Sequence, residues 1–221
     1  CKEKGVIFHT DAVQAAGHVH INVKEQNIDM LSLSGHKLHT PKGIGALYIR
    51  KGLHVSPFII GGHQESGRRA GTENVPYIVG LGQACEDAKK VMFDEAVKVG
   101  ALRDKLEKGL REAIPYTHIN GDPEHRLFNT TNIGFEFIEG EAILLHLSAE
   151  GIAASSGSAC TSGSLEPSHV LMAMGVPFSY AHGSCRFSLS KFTTEEEIDY
   201  AIKKIPPVIQ NLRELSPFYP G

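Results

Sequence analysis

Residues 28–34, Ile28-Asp29-Met30-Leu31-Ser32-Leu33-Ser34, form a short and largely apolar run that ends at Gly35. Similar runs lie on either side of it in the chain, from Val6 to His9 and from Ile44 to Ile49. Near-continuous apolar runs of this length are typical of strands buried on both faces of an α/β sheet. The stretch from Ala12 to Gln26 is predicted to be a short helix or an irregular crossover. The sequence therefore predicts an α/β fold.

Polar side chains directly follow these predicted strands, at the position where α/β proteins commonly bind ligands. They are Asp11, Gln14, Ser34, His36 and Lys37. A lysine beside a buried strand is partly screened from water, which favours the neutral amine that condenses with aldehydes. Pyridoxal phosphate requires such a lysine and an acidic residue against its ring nitrogen, a role that Asp11 suits. Alternatively, Lys37 is an ordinary surface lysine and Asp11 caps the following helix.

The middle of the chain predicts a long helix. After a glycine- and charge-rich loop at residues 61–76, apolar residues recur at steps of three and four from Leu81 to Leu110. This spacing indicates one amphipathic helix or two abutting ones. We predict a domain boundary within it, near residue 95.

The remaining part of the chain mixes strands and helices. Strands are predicted at residues 131–138 and 186–189, and helices at 141–150 and 169–174. A last helix is predicted to begin at Thr194, where Glu197 completes a capping box. Pro206-Pro207 is expected to break or kink this helix.

Cys160 lies in a segment, Ser155 to Ser164, that consists almost wholly of Ser, Gly, Ala and Thr. Such a segment buries little apolar surface, so it is predicted to be a mobile surface loop whose thiol can move between two positions. The alternative is a flexible linker with an incidental cysteine. Cys185, in a β-like run, is predicted to be a small packed side chain, and no role is assigned to Cys85.

Composition narrows the class of protein. The 221 residues are 41% hydrophobic with a formal net charge of −3, as in ordinary soluble proteins. No basic stripe indicates nucleic acid, no polybasic cluster indicates a membrane surface, and no apolar run could span a bilayer. Four cysteines without a CxxC pair favour a reducing cytoplasm. The start, Cys1 to Gly5, has no signal-peptide hydrophobic region and no initiator methionine, which predicts a piece of a longer polypeptide.

Twelve histidines raise the question of a metal site. Two pairs stand out, His18-Val19-His20 and His36-Lys37-Leu38-His39. Neither lies beside a cysteine or carboxylate at the spacing of zinc ligands. No metal site is therefore predicted.

Six segments together resemble the cysteine desulfurases of the NifS/IscS type. The most specific is the Ser-Ser-Gly-Ser-Ala-Cys-Thr-Ser string, and the resemblance runs through nearly all of the chain. In order, the segments are His-Thr-Asp-Ala-Val-Gln at 9–14, Ser-Gly-His-Lys at 34–37, Gly-Ile-Gly-Ala-Leu-Tyr at 43–48, Arg-Ala-Gly-Thr-Glu-Asn-Val-Pro at 69–76, residues 155–164 and Arg-Phe-Ser at 186–188.

The resemblance implies a pyridoxal-phosphate enzyme of the aspartate-aminotransferase-like fold. Residues 1–94 would be the second part of the large cofactor-binding domain, with a mostly parallel sheet. Residues 95–221 would be a small α+β C-terminal domain that carries the cysteine loop. The family's long N-terminal portion is absent from this sequence, so we expect unpaired strand edges and exposed apolar surface.

The resemblance also implies roles at the cofactor. Lys37 would bind the cofactor aldehyde and carry the substrate's α-proton, and Asp11 would pair with the ring nitrogen. Gln14 would bind the phenolic oxygen. The phosphate would be held by Ser34 and His36, with Thr72 reaching the phosphate of a partner subunit.

Two further residues would act on the substrate. Arg186 would clamp the carboxylate of L-cysteine through its two-pronged guanidinium. Cys160 would attack the substrate sulfur, which leaves a persulfide on the enzyme and releases alanine.

The implied partners are L-cysteine, a second copy of the chain and a sulfur-acceptor protein such as an iron–sulfur scaffold. Two alternatives belong beside this function. One is a non-catalytic fragment of a desulfurase that binds partners, and the other is a selenocysteine lyase.

Overall fold

A computed structural model describes residues 1–156 and 166–221 of the chain. The chain divides into two units, Cys1–Phe93 (unit 1) and Asp94–Gly221 (unit 2). Each unit contains its own sheet. The predicted α/β class is confirmed, since helices accompany both sheets.

Unit 1 is organised by three strands in the order β1-β2-β3. They are β1 (His9–Asp11), β2 (Met30–Ser34) and β3 (Gly45–Ile49). Only turns connect β1 to β2, which confirms an irregular crossover at 12–26. A single 3-10 turn, Gly35–Leu38, follows β2 directly, and another lies at Lys2–Lys4.

Strand pairing in unit 1 is mixed, so the expected mostly parallel sheet is not what these described strands form. β1 and β2 are parallel, whereas β2 and β3 are antiparallel. The physical reason is the length of the connection. Only ten residues separate Ser34 from Gly45, and a parallel return requires a crossover of a dozen or more.

The expectation that these strands are buried on both faces is also wrong for the described residues. Leu31 is buried with Ala12 and Ile28 on one face, where the 12–28 segment packs. Leu47, which pairs in register with Ser32 on the opposite face, is exposed. Apolar runs predicted the strands, but burial depends on which segments cover each face.

Two α-helices follow β3 along the chain. A short turn, α1, spans Gln64–Gly67, and the long helix α2 spans Val75–Ala113 as one element. Of the two predicted possibilities, one long helix or two abutting ones, the structure shows the first. The division between the units falls within α2.

Unit 2 contains a four-stranded antiparallel sheet in the order β4-β5-β7-β6. Its strands are β4 (Thr117–Asn120), β5 (Thr130–Phe135), β6 (Ser155–Ser156) and β7 (Ser184–Ser188). Its helices are α3 (Gly140–Ala149), α4 (His169–Ala173), α5 (Phe178–His182) and α6 (Glu195–Glu214). Antiparallel strands with segregated helices make this unit α+β.

One large apolar core stabilises unit 2. It includes Leu110 from the end of α2, Phe135 from β5 and Ile205 from α6, all with no exposed surface. The core side of α6 ends at Arg213, which is buried and donates hydrogen bonds to three backbone carbonyls. Arg213 thereby joins α6 to the segment before β4 and to the turn after β5.

The capping box predicted at the start of α6 is confirmed, because Thr194 and Glu197 each bind the other's backbone N–H. The sequence predicts a break or a kink at Pro206-Pro207; the break is wrong, since the helix continues to Glu214, and the kink stays a prediction. Both halves of α6 bury apolar residues in the core, including Ile205 and Ile209. We attribute the continuity to this packing, which outweighs the backbone hydrogen bonds that proline removes.

No helix in residues 1–156 and 166–221 is both long enough and apolar enough to cross a membrane.

Candidate active site

The first part of the candidate site is set by the parallel pairing of β1 and β2. Asp11 is the last residue of β1 and Ser34 is the last residue of β2. Because the two strands run in the same direction, their carboxyl ends lie at the same edge of the sheet. Asp11 pairs in register with Ser32, two residues before Ser34. The sheet thus brings a carboxylate to the edge from which the Gly35–Leu38 turn leaves.

Asp11 is exposed and is oriented by its own backbone. Its Oδ1 accepts a hydrogen bond from the Val13 N–H at 2.9 Å, an Asx turn that starts the following segment. The alternative that Asp11 caps a following helix is wrong, because only turns follow β1, and this oxygen closes the first of them. Asp11 can use its other oxygen for a ligand. Gln14 is exposed within the same turn.

Lys37 lies in the 3-10 turn that follows β2, and its side chain is half-buried. The turn is fixed at both ends. Gly35 has no room for a side chain, because a Cβ would lie 2.7 Å from Ile44 Cγ2 and would also clash with the Thr40 hydroxyl. His39 ends the turn in the left-handed region with φ of 65°. The backbone at Lys37 is therefore held by a short turn that is fixed at both ends.

The Ser34 hydroxyl and His36 form a pair within this turn. Ser34 Oγ lies 2.8 Å from His36 Nδ1, so the two side chains are joined by a hydrogen bond. A hydroxyl and an imidazole held together next to exposed backbone can donate to an anionic oxygen atom. These two residues are suited to hold phosphate, as the sequence predicts.

Sequence reasoning did not single out His9 and Ser32. His9 Nε2 and Ser32 Oγ are 2.8 Å apart, on the same face as Asp11. The signal was present, since residues two apart on a strand share a face and both residues are polar within apolar runs. What the sequence lacked was the register that brings them together.

Thr72 lies on an exposed loop of unit 1 and lines a groove of about 720 Å³. Arg68, Arg69 and Glu73 also line this groove. Glu65 lines it as well, so the groove contains two arginine and two glutamate side chains.

Arg186 lies in β7 of unit 2, between Cys185 and Phe187. Its Nε is buried and has no hydrogen-bond partner among the described residues. The Cys185 side chain points to the opposite face and is 0% exposed, and burial raises the pKa of its thiol to about 12. This confirms that Cys185 is a packed side chain, because so little of it is thiolate near neutral pH.

The structure places the predicted residues in two groups. Asp11, Gln14, Ser34, His36, Lys37 and Thr72 belong to unit 1, and Arg186 belongs to unit 2. Cys160 and the rest of its segment from 157 to 165 lie outside the described residues, so the predicted loop remains a prediction.

No cluster of three histidine, cysteine, aspartate or glutamate side chains that could hold a metal ion occurs in residues 1–156 and 166–221.

The chain matches one protein family and many individual relatives. The model of the aminotransferase class-V family matches residues 1–201. Cysteine desulfurase 2 of Trichormus variabilis is 62% identical over 217 residues, covering 98% of this chain and 54% of that protein. Cysteine desulfurase NifS of Azotobacter vinelandii is 59% identical over 219 residues, covering 99% of this chain and 54% of that protein. The chain thus spans about half the length of the curated relatives that it matches.

Solved structures give the same result. A NifS-like protein superposes with a TM-score of 0.85 at 40% identity, covering 96% of this chain and 54% of that one. A NifS-like protein from Rickettsia africae superposes with a TM-score of 0.86 at 34% identity, covering 95% and 55%. These matches confirm the resemblance that the sequence motifs indicated.

Proposed function

Because this chain belongs to the aminotransferase class-V family, we propose that it supplies catalytic residues of a cysteine desulfurase, which removes sulfur from L-cysteine and releases L-alanine. One observation carries the proposal. Asp11 and the Ser34–Lys37 turn lie at the adjacent carboxyl ends of two parallel strands. The similarity to proteins named cysteine desulfurase, at about 60% identity, supports the choice of reaction.

The proposed cofactor is pyridoxal 5′-phosphate, and the residues at this edge fit it. The cofactor has an aldehyde, a ring nitrogen, a phenolic oxygen and a phosphate group. The edge offers an amine on Lys37, a carboxylate on Asp11, an amide on Gln14 and the hydrogen-bonded Ser34–His36 pair. When bound, the cofactor would accept the electron pair that remains on the substrate when its α-proton is removed.

Each of these side chains then has a defined task. Lys37 holds the aldehyde carbon covalently and moves the α-proton of the substrate. Asp11 keeps the ring nitrogen protonated, since a carboxylate beside a nitrogen base favours its charged form. Gln14 donates to the phenolic oxygen, and Ser34 and His36 donate to the phosphate.

We assign substrate binding to Arg186. A guanidinium binds a carboxylate through two parallel N–H···O hydrogen bonds, a geometry that lysine does not provide. The buried Arg186 Nε without a described partner is consistent with a donor kept for a ligand.

We assign the attack on sulfur to Cys160, on sequence grounds alone. Its thiolate forms a sulfur–sulfur bond to the substrate thiol while the carbon–sulfur bond of the substrate breaks. The electron pair of that bond passes to carbon, which takes up a proton and becomes the methyl group of alanine. The product on the enzyme is a persulfide, which passes its outer sulfur to an acceptor protein.

We also propose a cell compartment, an oligomeric state and a sulfur acceptor for this reaction. The described cysteines Cys1, Cys85 and Cys185 are free thiols, which supports a reducing compartment such as the cytoplasm. Thr72 is assigned to the phosphate of a partner subunit, so we propose a homodimer. The acceptor is proposed to be a protein that builds iron–sulfur clusters.

The test is a titration of the purified chain with pyridoxal phosphate, followed by borohydride reduction and peptide mapping. We expect a reduced cofactor on Lys37, and alanine and sulfide in equal amounts from L-cysteine in the presence of a thiol reductant. Lys37→Ala should abolish both cofactor attachment and activity. Cys160→Ser should abolish alanine and persulfide formation but keep the cofactor attached.

Two results would change the assignment. Cofactor attachment without alanine from L-cysteine, but with alanine from selenocysteine, would make the protein a selenocysteine lyase. Attachment of the cofactor to another lysine would contradict the site proposed at the ends of β1 and β2.

A further inference from the structure

Four polar residues form one row across the sheet of unit 2. The strand register pairs Asn120 with Asn132, Asn132 with Arg186, and Arg186 with Ser155. Residues paired in this way project from the same face of the sheet, with their Cβ atoms about 4.5–5.5 Å apart. The row therefore places two carboxamides on one side of the Arg186 side chain and a hydroxyl on the other.

The opposite face of the same strands is apolar. The next register row contains Ile133 and Cys185, both completely buried in the core of unit 2. Asn120 is only 5% exposed, although it lies in the polar row. Buried polar side chains are normally hydrogen-bonded, so the partner of the Asn120 side chain is the next question.

The hydrogen bond between the two asparagines has a direction. The Asn120 side-chain nitrogen donates to Asn132 Oδ1 over 2.6 Å. Since β4 and β7 flank β5 on opposite sides, this bond draws the Asn132 oxygen toward β4 and away from Arg186. The Asn132 side-chain nitrogen is a donor only, so the oxygen already bound by Asn120 is the one acceptor atom of this carboxamide.

Two atoms of the row have no hydrogen-bond partner among the described residues. They are Asn120 Oδ1 and Arg186 Nε, and both atoms are buried. The acceptor directly across the strand from Arg186 is the Asn132 oxygen, and Asn120 engages it instead. On the other side of Arg186, the Ser155 hydroxyl donates to the Ser156 carbonyl, and no described hydrogen bond joins it to Arg186. The described residues of the row therefore leave Arg186 Nε without a bound acceptor.

We propose that Asn120 and Asn132 are positioning residues that hold the Asn132 carbonyl oxygen away from Arg186, so that the guanidinium is available to the carboxylate of the amino-acid substrate. The proposal rests on the proposed function for the identity of that substrate. Asn120 orients the Asn132 carboxamide, and the Asn132 oxygen is thereby kept from accepting a hydrogen bond from Arg186.

The first test is independent of cofactor and of turnover. Phenylglyoxal modifies free guanidinium groups, and peptide mass spectrometry gives the rate of modification at Arg186 itself. Asn132→Asp places a carboxylate directly across from Arg186, and we expect the resulting ion pair to slow its modification at least tenfold. Asn211→Asp, which adds the same charge on the exposed side of α6, should leave the rate unchanged.

A second variant tests the proposal independently, in case Asn132→Asp does not fold. Asn120→Ala removes the donor that holds the Asn132 oxygen, which is then free to turn and accept from Arg186. We expect modification of Arg186 to slow by about threefold in a variant whose far-ultraviolet circular dichroism is unchanged. Equal rates at Arg186 in wild type, Asn132→Asp and Asn120→Ala would overturn the proposal.

Kinetics separate this proposal from the proposed function. In a chain that converts L-cysteine, Asn132→Asp should raise KM for L-cysteine at least tenfold and leave kcat within about twofold, because only binding of the carboxylate is weakened. A fall in kcat with unchanged KM would contradict a positioning role at Arg186. If the wild type makes no alanine, the proposed function fails, whereas the modification rates still decide how the asparagines act on Arg186.

Discussion

Unit 1 and unit 2 differ in how much apolar side chain they bury. In unit 2, nineteen buried residues from helices and strands form one cluster. In unit 1, the cluster at the sheet contains three buried residues, and Phe58 and Ile60 are almost completely exposed. Yet unit 1 carries six of the seven described site residues. Among the described residues, the larger apolar core and most of the residues proposed to bind the cofactor therefore belong to different units.

The strongest test of this comparison replaces a phenylalanine in each unit by alanine. Phe135→Ala, at a side chain with 0% exposure, should lower the free energy of unfolding of unit 2 by about 3–5 kcal/mol, since it leaves a cavity in the core. Phe58→Ala, at a side chain 97% exposed, should change stability by less than about 0.5 kcal/mol. Urea unfolding of both variants measures the difference. Equal losses would contradict the comparison.

The next largest effect is expected at Arg213, where 1% of the residue is exposed. Its guanidinium donates to the carbonyls of Glu136, Pro115 and Tyr116 at 2.8–3.1 Å. Arg213→Met keeps most of the volume but removes all three hydrogen bonds. The Tyr116 and Pro115 carbonyls keep another donor, the Glu136 N–H and the Thr117 hydroxyl, whereas the Glu136 carbonyl keeps none among the described residues. The loss should destabilise unit 2 by about 3 kcal/mol. Arg111→Met, at an exposed position on α2, is the matched control and should be nearly neutral. Thermal unfolding monitored by circular dichroism provides the readout.

A substitution at Gly35 tests whether the turn that follows β2 sets the position of Lys37 in unit 1. Gly35→Ala places a methyl group 2.7 Å from Ile44 Cγ2, so the turn that carries Lys37 must shift, at a cost of about 1–3 kcal/mol. We expect at least a tenfold weaker attachment of pyridoxal phosphate, measured by borohydride trapping. Gly82→Ala in α2, where a Cβ meets no atom within 4 Å, should retain the cofactor as well as wild type. Similar trapping in both variants would mean that the Gly35 turn does not set the position of Lys37.

The smallest expected effect is a dependence of unit 2 on pH. Burial raises the pKa of Glu107, but hydrogen bonds from Arg126 and Thr131 outweigh it, so the net pKa is lowered. Its stabilisation is therefore present above the ordinary glutamate pKa of about 4.3 and is lost as pH falls through the lower pKa of the folded state. Glu107→Gln should flatten the fall in stability below pH 4.3, measured by urea unfolding across pH. The exposed Glu112→Gln should keep the wild-type slope.

Local sequence patterns predicted much of this fold. The apolar runs ending at Ser34 and Ile49 became β2 and β3, and the three- and four-residue spacing after residue 81 became α2. The capping box at Thr194 and Glu197 was found because both partners lie within one turn. Each of these features depends on residues close together in the chain.

The features that sequence reasoning missed depend on distant residues. β4, with its short polar sequence Thr-His-Ile-Asn at 117–120, is a strand because β5 pairs with it. Helix α6 continues through Pro206-Pro207 because packing on both sides holds it. The Asn120–Asn132 hydrogen bond exists only through the register of two strands. Candidate site residues could be named from motifs, but their neighbours could not.

Cys185 offers an internal signal for how unit 2 opens. A thiol with no exposed surface reacts with a bulky maleimide only after the strands around it separate. Labelling at this one position therefore reports the fraction of time that the small sheet is open, whereas labelling of the exposed Cys85 reports none of it. The labelling rate of Cys185 therefore measures how often the sheet that contains Arg186 opens.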